Sequence, residues 1–302
     1  MHKNVLITGA SGLVGTRLTT LLMQKGYQIS HLSRSSSTGP IRTFLWDVNA
    51  GTIENGALDE VDTIIHLAGA GIADKRWSAS RKKEILESRT KSTELLFQKL
   101  KQSKHNIKTF VSASAIGIYG EGGSERTFTE EDLPAHDFLA EVVRQWEDSV
   151  SQIESLGIRV VKIRIGILLS ENGGALAEMV KPIKWGVGSP LGSGEQLMSW
   201  IHIDDACRIF IKGIEDESMK GVYNAVTPNP VSNKQLTKEI ARVLNKPLWL
   251  PNVPGFVLKL VLGEMADLVL KGSKVSAGKI QDSNFDFQFL DLKEALEDLL
   301  KK

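Results

Sequence analysis

The chain is poor in the residues that build disulfide and metal frameworks: its 302 residues hold one cysteine, Cys207, and six scattered histidines. A single thiol excludes a disulfide framework and argues against a cysteine-based zinc site, so no metal is expected and a reducing cytoplasm is the natural compartment. Net charge is lacking too. Thirty-seven basic against 36 acidic side chains leave a formal +1, with no long basic stripe and no acidic tail, so neither nucleic acid nor a membrane surface is an expected partner. No uninterrupted apolar run approaches the roughly 18 residues that would suggest a membrane span. The first apolar run is broken by Thr8, Gly9 and Ser11, which argues against a secretory signal. Internal repeats are absent, and low complexity is confined to Ser35, Ser36 and Ser37.

What is present is a 41% hydrophobic chain, long enough for one large α/β unit or two closely joined domains. Short apolar runs alternate with longer amphipathic ones. Strands are predicted at 5–8, 27–33, 43–46, 63–67, 109–114 and 159–164; helices at 13–25, 80–103 and 138–155. Near-continuous β-branched runs separated by helices imply a parallel sheet covered on both faces. The expected fold is therefore α/β, a Rossmann-type doubly wound sheet with ligands beyond the carboxyl ends of its strands. Residues 1–165 would form the nucleotide-binding domain, with a segment near 200–226 returning to its sheet. Residues 166–302 would form a smaller, mostly substrate-side region, including a distinct tail over 249–302 that reads as helical from Pro251 onward. The Gly- and Pro-rich stretch 172–197 reads as a loop, either surface or substrate-facing.

The stretch GASGLVG, Gly9 to Gly15, follows the first strand and opens the first helix. A phosphate group approaches backbone closely at a helix start, where glycine removes the obstructing Cβ and free N–H groups carry partial positive charge. Gly9 would make the turn, Gly12 the close approach and Gly15 the packing of helix on strand. The spacing is G-x-x-G-x-x-G, and its placement between strand and helix makes it a nucleotide-binding signal. A site for NAD usually places an acid at the end of the second strand to hold the ribose 2′-hydroxyl. Here the strand ends His31-Leu-Ser-Arg34, so Ser33 and Arg34 are expected to clasp a 2′-phosphate, Arg34 through a charge-assisted fork. NADP is favoured over NAD. Arg164 is a charge in an otherwise apolar strand, and it needs either a ligand or an ion-pair partner.

Together, GASGLVG, IIHLAGAG at 64–71, SASAIGIYG at 112–120 and WIHIDDA at 200–206 resemble an extended short-chain dehydrogenase/reductase. ADKRW at 73–77, GSPLGSGEQ at 188–196 and LGEMADLVLKG at 262–272 narrow the resemblance to its epimerase-family branch, NAD-dependent epimerase/dehydratase-like proteins, some labelled cell-division inhibitor homologues. The resemblance spans essentially the whole chain. It implies that Gly9, Ser11, Gly12, Leu13 and Val14 line a pyrophosphate and that Ser33 and Arg34 meet the 2′-phosphate. It also implies that Leu67, Ala68, Glu84, Arg89 and Arg164 contact the cofactor, a structural ion pair being the other reading of Arg164. Related proteins pair through the helices read here at 80–103 and 138–155, which leaves a homodimer open.

Catalysis in such enzymes, the resemblance implies, uses a serine after the fifth strand and a Tyr-x-x-x-Lys pair on the next helix, the lysine lowering the tyrosine pKa. Ser114 matches the serine. Counting back from Glu147 puts Phe138 or Leu139 in the tyrosine slot and Val142 or Val143 in the lysine slot, so the pair is absent. Tyr119 is then the substitute candidate for proton transfer, or a packing residue. His202 and Asp204 are weaker candidates, more in keeping with a turn that closes the sheet, and His66 reads as a structural strand-end histidine. Two functions follow from these residues: an NADP-dependent oxidoreductase or nucleotide-sugar epimerase acting on an unidentified small molecule, and a non-catalytic NADP(H)-sensing protein with a link to cell division.

Overall fold

The apolar runs of the first half become buried parallel strands in the structure, a computed structural model that describes residues 4–301. β1 (Asn4–Thr8), α1 (Leu13–Gln24), β2 (Gln28–Ser33), β3 (Arg42–Asp47), β4 (Thr52–Ile53) and β5 (Thr63–His66) come first. They are followed by α2 (Ala79–Gln102), β6 (Thr109–Ala115), β7 (Gly123–Phe128), α3 (Phe138–Ser151) and β8 (Arg159–Ile165). The second half contributes β9 (Ile167–Leu169), α4 (Gly174–Lys184), β10 (Leu197–Met198), β11 (Trp200–His202), α5 (Ile203–Glu215) and β12 (Gly221–Ala225). It ends with β13 (Val231–Ser232), α6 (Asn233–Val243), α7 (Gly255–Leu262), α8 (Asp267–Leu270), β14 (Ser273–Val275), α9 (Gly278–Asp282) and α10 (Leu292–Leu300).

Eight strands form the main sheet in the order β4-β3-β2-β1-β5-β6-β8-β12. All neighbours are parallel except β4, which runs antiparallel to β3. The chain winds outward from β1 to β4, then crosses back to place β5 on the other side of β1. That reversal opens a crevice beyond the carboxyl ends of β1 and β5, where ligands bind in such sheets. Val5, Leu6 and Ile7, Ile64 and Ile65, and Phe110 and Val111 are all buried, because the central strands are covered on both faces. Helix α2 packs against α3, and α1 against α5.

Register then sets which polar groups meet. His66 lies beside Thr8, while Arg164 is flanked by Ser114 and Asn224.

Two sequence expectations change. The stretch read as a loop over 172–197 contains α4, whose Leu176, Val180 and Ile183 are buried at helical spacing; its glycine start and internal Pro182 mask the periodicity. The strand expected to return to the main sheet from within 200–226 does so as β12, while residues 200–202 pair with β9. The tail is not uniformly helical, since β14 pairs in parallel with β7, and two such distant short strands leave no local signal. Among the described residues no helix is long and apolar enough to cross a membrane.

Phe110 is fully buried in β6 and leans on the His66 ring at 5.8 Å. Phe110→Ala is expected to cost about 3–5 kcal/mol, read as a lowered urea midpoint with an unchanged slope.

Candidate functional site

The glycine loop is shaped by two backbone contacts. Gly9 adopts φ +67°, and a Cβ there would stand 2.7 Å from the carbonyl carbon of Leu67, so the turn after β1 rests directly on the turn after β5. A Cβ at Gly15 would stand 2.5 Å from the Gly9 carbonyl oxygen, which fixes α1 against its own loop. Gly12 is the N-cap of α1 and offers no side-chain acceptor to the first turn. The leading N–H groups at Leu13, Val14 and Gly15 are thus left for an external acceptor, the arrangement that suits a phosphate. Ser11 is exposed at the rim. The Asn172-Gly173-Gly174 turn comes down on Leu13 from the other side: a Cβ at Gly173 would lie 3.3 Å from the Leu13 side chain.

A buried hydroxyl–imidazole chain holds the neighbouring turn. The backbone N–H groups of Leu67 and Ala68 donate to Thr8 Oγ1 at 3.1 and 3.2 Å, and Thr8 Oγ1 meets His66 Nδ1 at 2.8 Å. With its lone pairs taken, Thr8 donates its proton to Nδ1, leaving the imidazole proton on Nε2. Nε2 faces Ser92 and Thr93 Oγ atoms, each at 3.2 Å, which in turn donate to carbonyls on α2. His66 is fully buried, and burial together with nearby Arg89 pushes its pKa down to about 3. It is a structural, neutral histidine.

Arg34, exposed beyond the end of β2, has no ion-pair partner among the described residues, and Ser33 precedes it. Its charge is felt by the exposed Glu84 carboxylate, whose pKa is lowered mainly by its hydrogen bond from Arg81. Glu84 and Arg89 are on different sides of α2, as their spacing requires. Arg89 is buried against Gly69, donates to the carbonyls of Ala70 and Ile85, and lies over the Trp146 ring. Burial, reinforced by Arg81, lowers its pKa to about 10. Without a carboxylate partner among the described residues, this desolvated cation at the crevice suits an anionic or hydroxyl-rich ligand.

Between β6, α3 and β8 the structure assembles a buried polar cluster. Arg164 donates from Nε and Nη2 to the two oxygens of Glu147, both at 2.8 Å, and from Nη1 to Tyr119 Oη at 2.8 Å. Ser114 donates to Glu147 Oε1 at 2.5 Å, and Tyr119 donates to Asn224 Oδ1 at 2.7 Å. The fork of Arg164 is filled by Glu147, the structural ion pair that was the other reading of this residue. Removing one partner of such a buried pair typically costs about 3–5 kcal/mol.

Tyr119 takes the packing arrangement of its two readings. It is 2% exposed, stacks on Phe128 at 5.2 Å, and burial raises its pKa to about 12 despite Arg164 and Asn224. With both its donor and its acceptor committed, it packs and braces and is not poised as an acid or base. Phe138 or Leu139 and Val142 or Val143, the positions matched to the tyrosine and lysine, are all apolar on α3, and Phe138 stacks edge-on against Trp77. His202 Nδ1 caps α5 by accepting from the Asp204 N–H, and its ring stacks on Phe289 at 3.8 Å. Asp204 takes a two-pronged bond from Arg17. Both are fastenings of the turn. Among the described residues no group of three or more His, Cys, Asp or Glu is placed to hold a metal ion.

Sequence reasoning used Glu147 only as a counting mark and missed it as the partner of Ser114. The signal was there: Val143, Glu147 and Val150 share one buried helix stripe, and an acid in such a stripe asks for a buried cation.

Residues 5–225 match the pattern of the family described as NAD dependent epimerase/dehydratase, and residues 253–299 match a domain of unknown function, DUF1731. The chain is 38% identical over 300 residues to epimerase family protein YfhF of Bacillus subtilis, covering 98% of each. It is 40% identical over 305 residues to an epimerase family protein of Staphylococcus saprophyticus, covering 99% of each. Among solved structures, human epimerase family protein SDR39U1 with NADPH aligns at a TM-score of 0.88 and 28% identity, over 99% of both chains.

Because the folded chain keeps His66 neutral while the unfolded chain titrates near its ordinary 6.5, only the unfolded state gains this proton as pH drops from about 6.5 toward 3. Stability should fall across that window, with up to about 1.4 kcal/mol per pH unit coming from His66. His66→Asn is expected to flatten the slope of unfolding free energy against pH, whatever its effect at neutral pH. An unchanged slope would contradict the buried neutral assignment.

Proposed function

The chain belongs to the NAD dependent epimerase/dehydratase family, and we propose that it binds NADP(H) and acts as an oxidoreductase or nucleotide-sugar epimerase-type enzyme. One observation carries the cofactor reading: a glycine cradle with an uncapped helix start, beside a strand end that offers Ser33 and Arg34 where an acid would select NAD. The NADPH in the human relative's structure supports the same choice. Gly9, Ser11, Gly12, Leu13 and Val14 would hold the pyrophosphate, and Ser33 and Arg34 the 2′-phosphate. The backbone at Leu67 and Ala68, with Glu84 and Arg89, would flank the rest. When bound, NADP(H) supplies the hydride donor or acceptor.

Ser114 is the residue of this chain suited to hold the reacting oxygen. Its own proton lies toward Glu147, so its oxygen lone pairs are available to accept from a substrate hydroxyl. Arg164 keeps the Glu147 carboxylate fixed from behind. With no tyrosine or lysine in the usual slots and Tyr119 committed elsewhere, the proton is exchanged with water. That same apolar pair of slots favours a second reading, an NADP(H) sensor without turnover.

Arg34→Ala is expected to weaken NADPH binding about 10- to 100-fold, the loss of a charge-assisted contact, while NADH affinity measured by calorimetry stays unchanged. Equal NADPH and NADH affinities in the unaltered protein would remove the 2′-phosphate assignment. In a screen of carbonyl compounds and sugar nucleotides, followed by NADPH absorbance and product stereochemistry, turnover retires the sensor reading. For any substrate so found, Ser114→Ala should lower kcat about 100-fold or more, and unaltered turnover would exclude Ser114 from the reaction.

A further inference from the structure

One helix of this protein is apolar yet turns much of its surface outward. Helix α7, GFVLKLVL, has no buried residue; Phe256 is 74%, Leu260 77% and Val261 64% exposed. Soluble helices normally turn such side chains toward a core, and a contiguous exposed apolar face marks an interaction site. The face extends beyond the helix. Trp249 is 67% exposed and Trp185 83%, and the two are tied together because Trp249 Nε1 donates to the carbonyl of Gly186 at 2.9 Å. From there residues 251–253 run alongside 189–192, through bonds between Ser189 and Pro251 and between Val253 and both Pro190 and Gly192, and deliver the chain to α7.

The unpaired charge around this face has one sign. Residues 240–263 contain no acid. Lys184, Lys246 and Lys259 are exposed and have no ion pair among the described residues. Acids on the neighbouring segments are spoken for: Glu178 pairs with Lys181, Glu195 with Lys234, Glu239 with Arg242, Glu264 with Lys82 and Asp267 with Lys271. Exposed tryptophans, an apolar helix and unpaired lysines together are the features that seat a protein on the headgroup layer of an anionic bilayer.

We propose that α7, with Trp185 and Trp249, docks this protein peripherally on an anionic lipid surface. The apolar side chains enter the headgroup boundary while the three lysines meet lipid phosphates. A second copy of the chain would also cover apolar area, but two such faces would bring their lysines together, which argues for the lipid. The whole-chain charge of +1 conceals this because its lysine excess is local.

The test is co-sedimentation of the full chain with large vesicles of phosphatidylcholine alone or with about one-third phosphatidylglycerol, at low and high salt, with light scattering of the lipid-free protein alongside. Binding to the anionic vesicles is expected to exceed that to phosphatidylcholine by on the order of 100-fold at low salt and to fall steeply with salt. Tryptophan emission should shift to the blue and be quenched by brominated lipid. Each of Lys184→Glu, Lys246→Glu and Lys259→Glu should weaken binding about fivefold or more. Phe256→Asp with Leu260→Asp should abolish it, with the circular dichroism and thermal midpoint of the unaltered chain. No sedimentation with anionic vesicles at low salt would overturn the proposal, as would equal binding to both compositions or full binding by the Asp variant. A dimer that the Asp variant dissolves, found without vesicle binding, would assign the face to a second copy instead.

Discussion

Glu147 and Arg164 face each other inside the protein with almost no contact with water, and the region around the crevice is arranged by that pairing. Neither charge would tolerate burial alone, so α3 and β8 must come together in the one register that joins them. Once fixed, the carboxylate takes the Ser114 proton and the guanidinium takes a lone pair of Tyr119. Tyr119 then reaches Asn224 on β12, whose backbone N–H donates to Glu130. Four elements of the main fold are thereby held at one point. The same geometry removes Tyr119 from proton chemistry and leaves Ser114 with a fixed partner.

On the other side of the crevice the constraint is steric rather than ionic. Gly9 and Gly15 bring backbone against backbone at separations no Cβ would allow, and Thr8 fastens the Leu67–Ala68 turn to His66 and so to α2. The glycine loop, the turn after β5 and the Arg89 turn of α2 therefore behave as one rigid seat. A ligand meets groups already in place and need not order them, which lowers the entropic cost of binding. Polar groups are sparser at the start of α3: Ser114 has the Glu147 carboxylate behind it, and Phe138, Leu139, Val142 and Val143 are apolar.

The region matching a domain of unknown function completes the crevice side without adding to the main sheet. β14 pairs with β7, Gln288 and Phe289 donate to the buried Asp205, and α10 packs on α6. Helix α7 turns Phe256, Leu260 and Val261 outward, and its Lys259, like Lys184 and Lys246 near the exposed tryptophans in sequence, has no ion pair among the described residues. The distribution of partners, not the amount of charge, distinguishes this surface.

Much of this was legible in the residues themselves. β-branched runs between amphipathic helices, the glycine triplet, Ser33-Arg34 in place of an acid and the missing Tyr-x-x-x-Lys pair are local features, and local periodicity or steric need determines each of them. Arg164 announced a buried charge but not its partner, because a strand and a helix residue meet only when packing joins them. The β7–β14 pairing, the locked hydroxyl of Tyr119 and the neutral His66 depend on contacts far apart in sequence. Helix α4 was hidden by its own glycines and proline. The exposed face of α7 was invisible for a related reason: an apolar run reads alike whether it is buried or bare. The sequence by itself determined the sheet, the loop and the kind of ligand they suit. Only the tertiary structure decided which polar groups spend their hydrogen bonds on one another and which are left for something else, because a hydrogen bond or an ion pair belongs to two residues and a sequence position describes one.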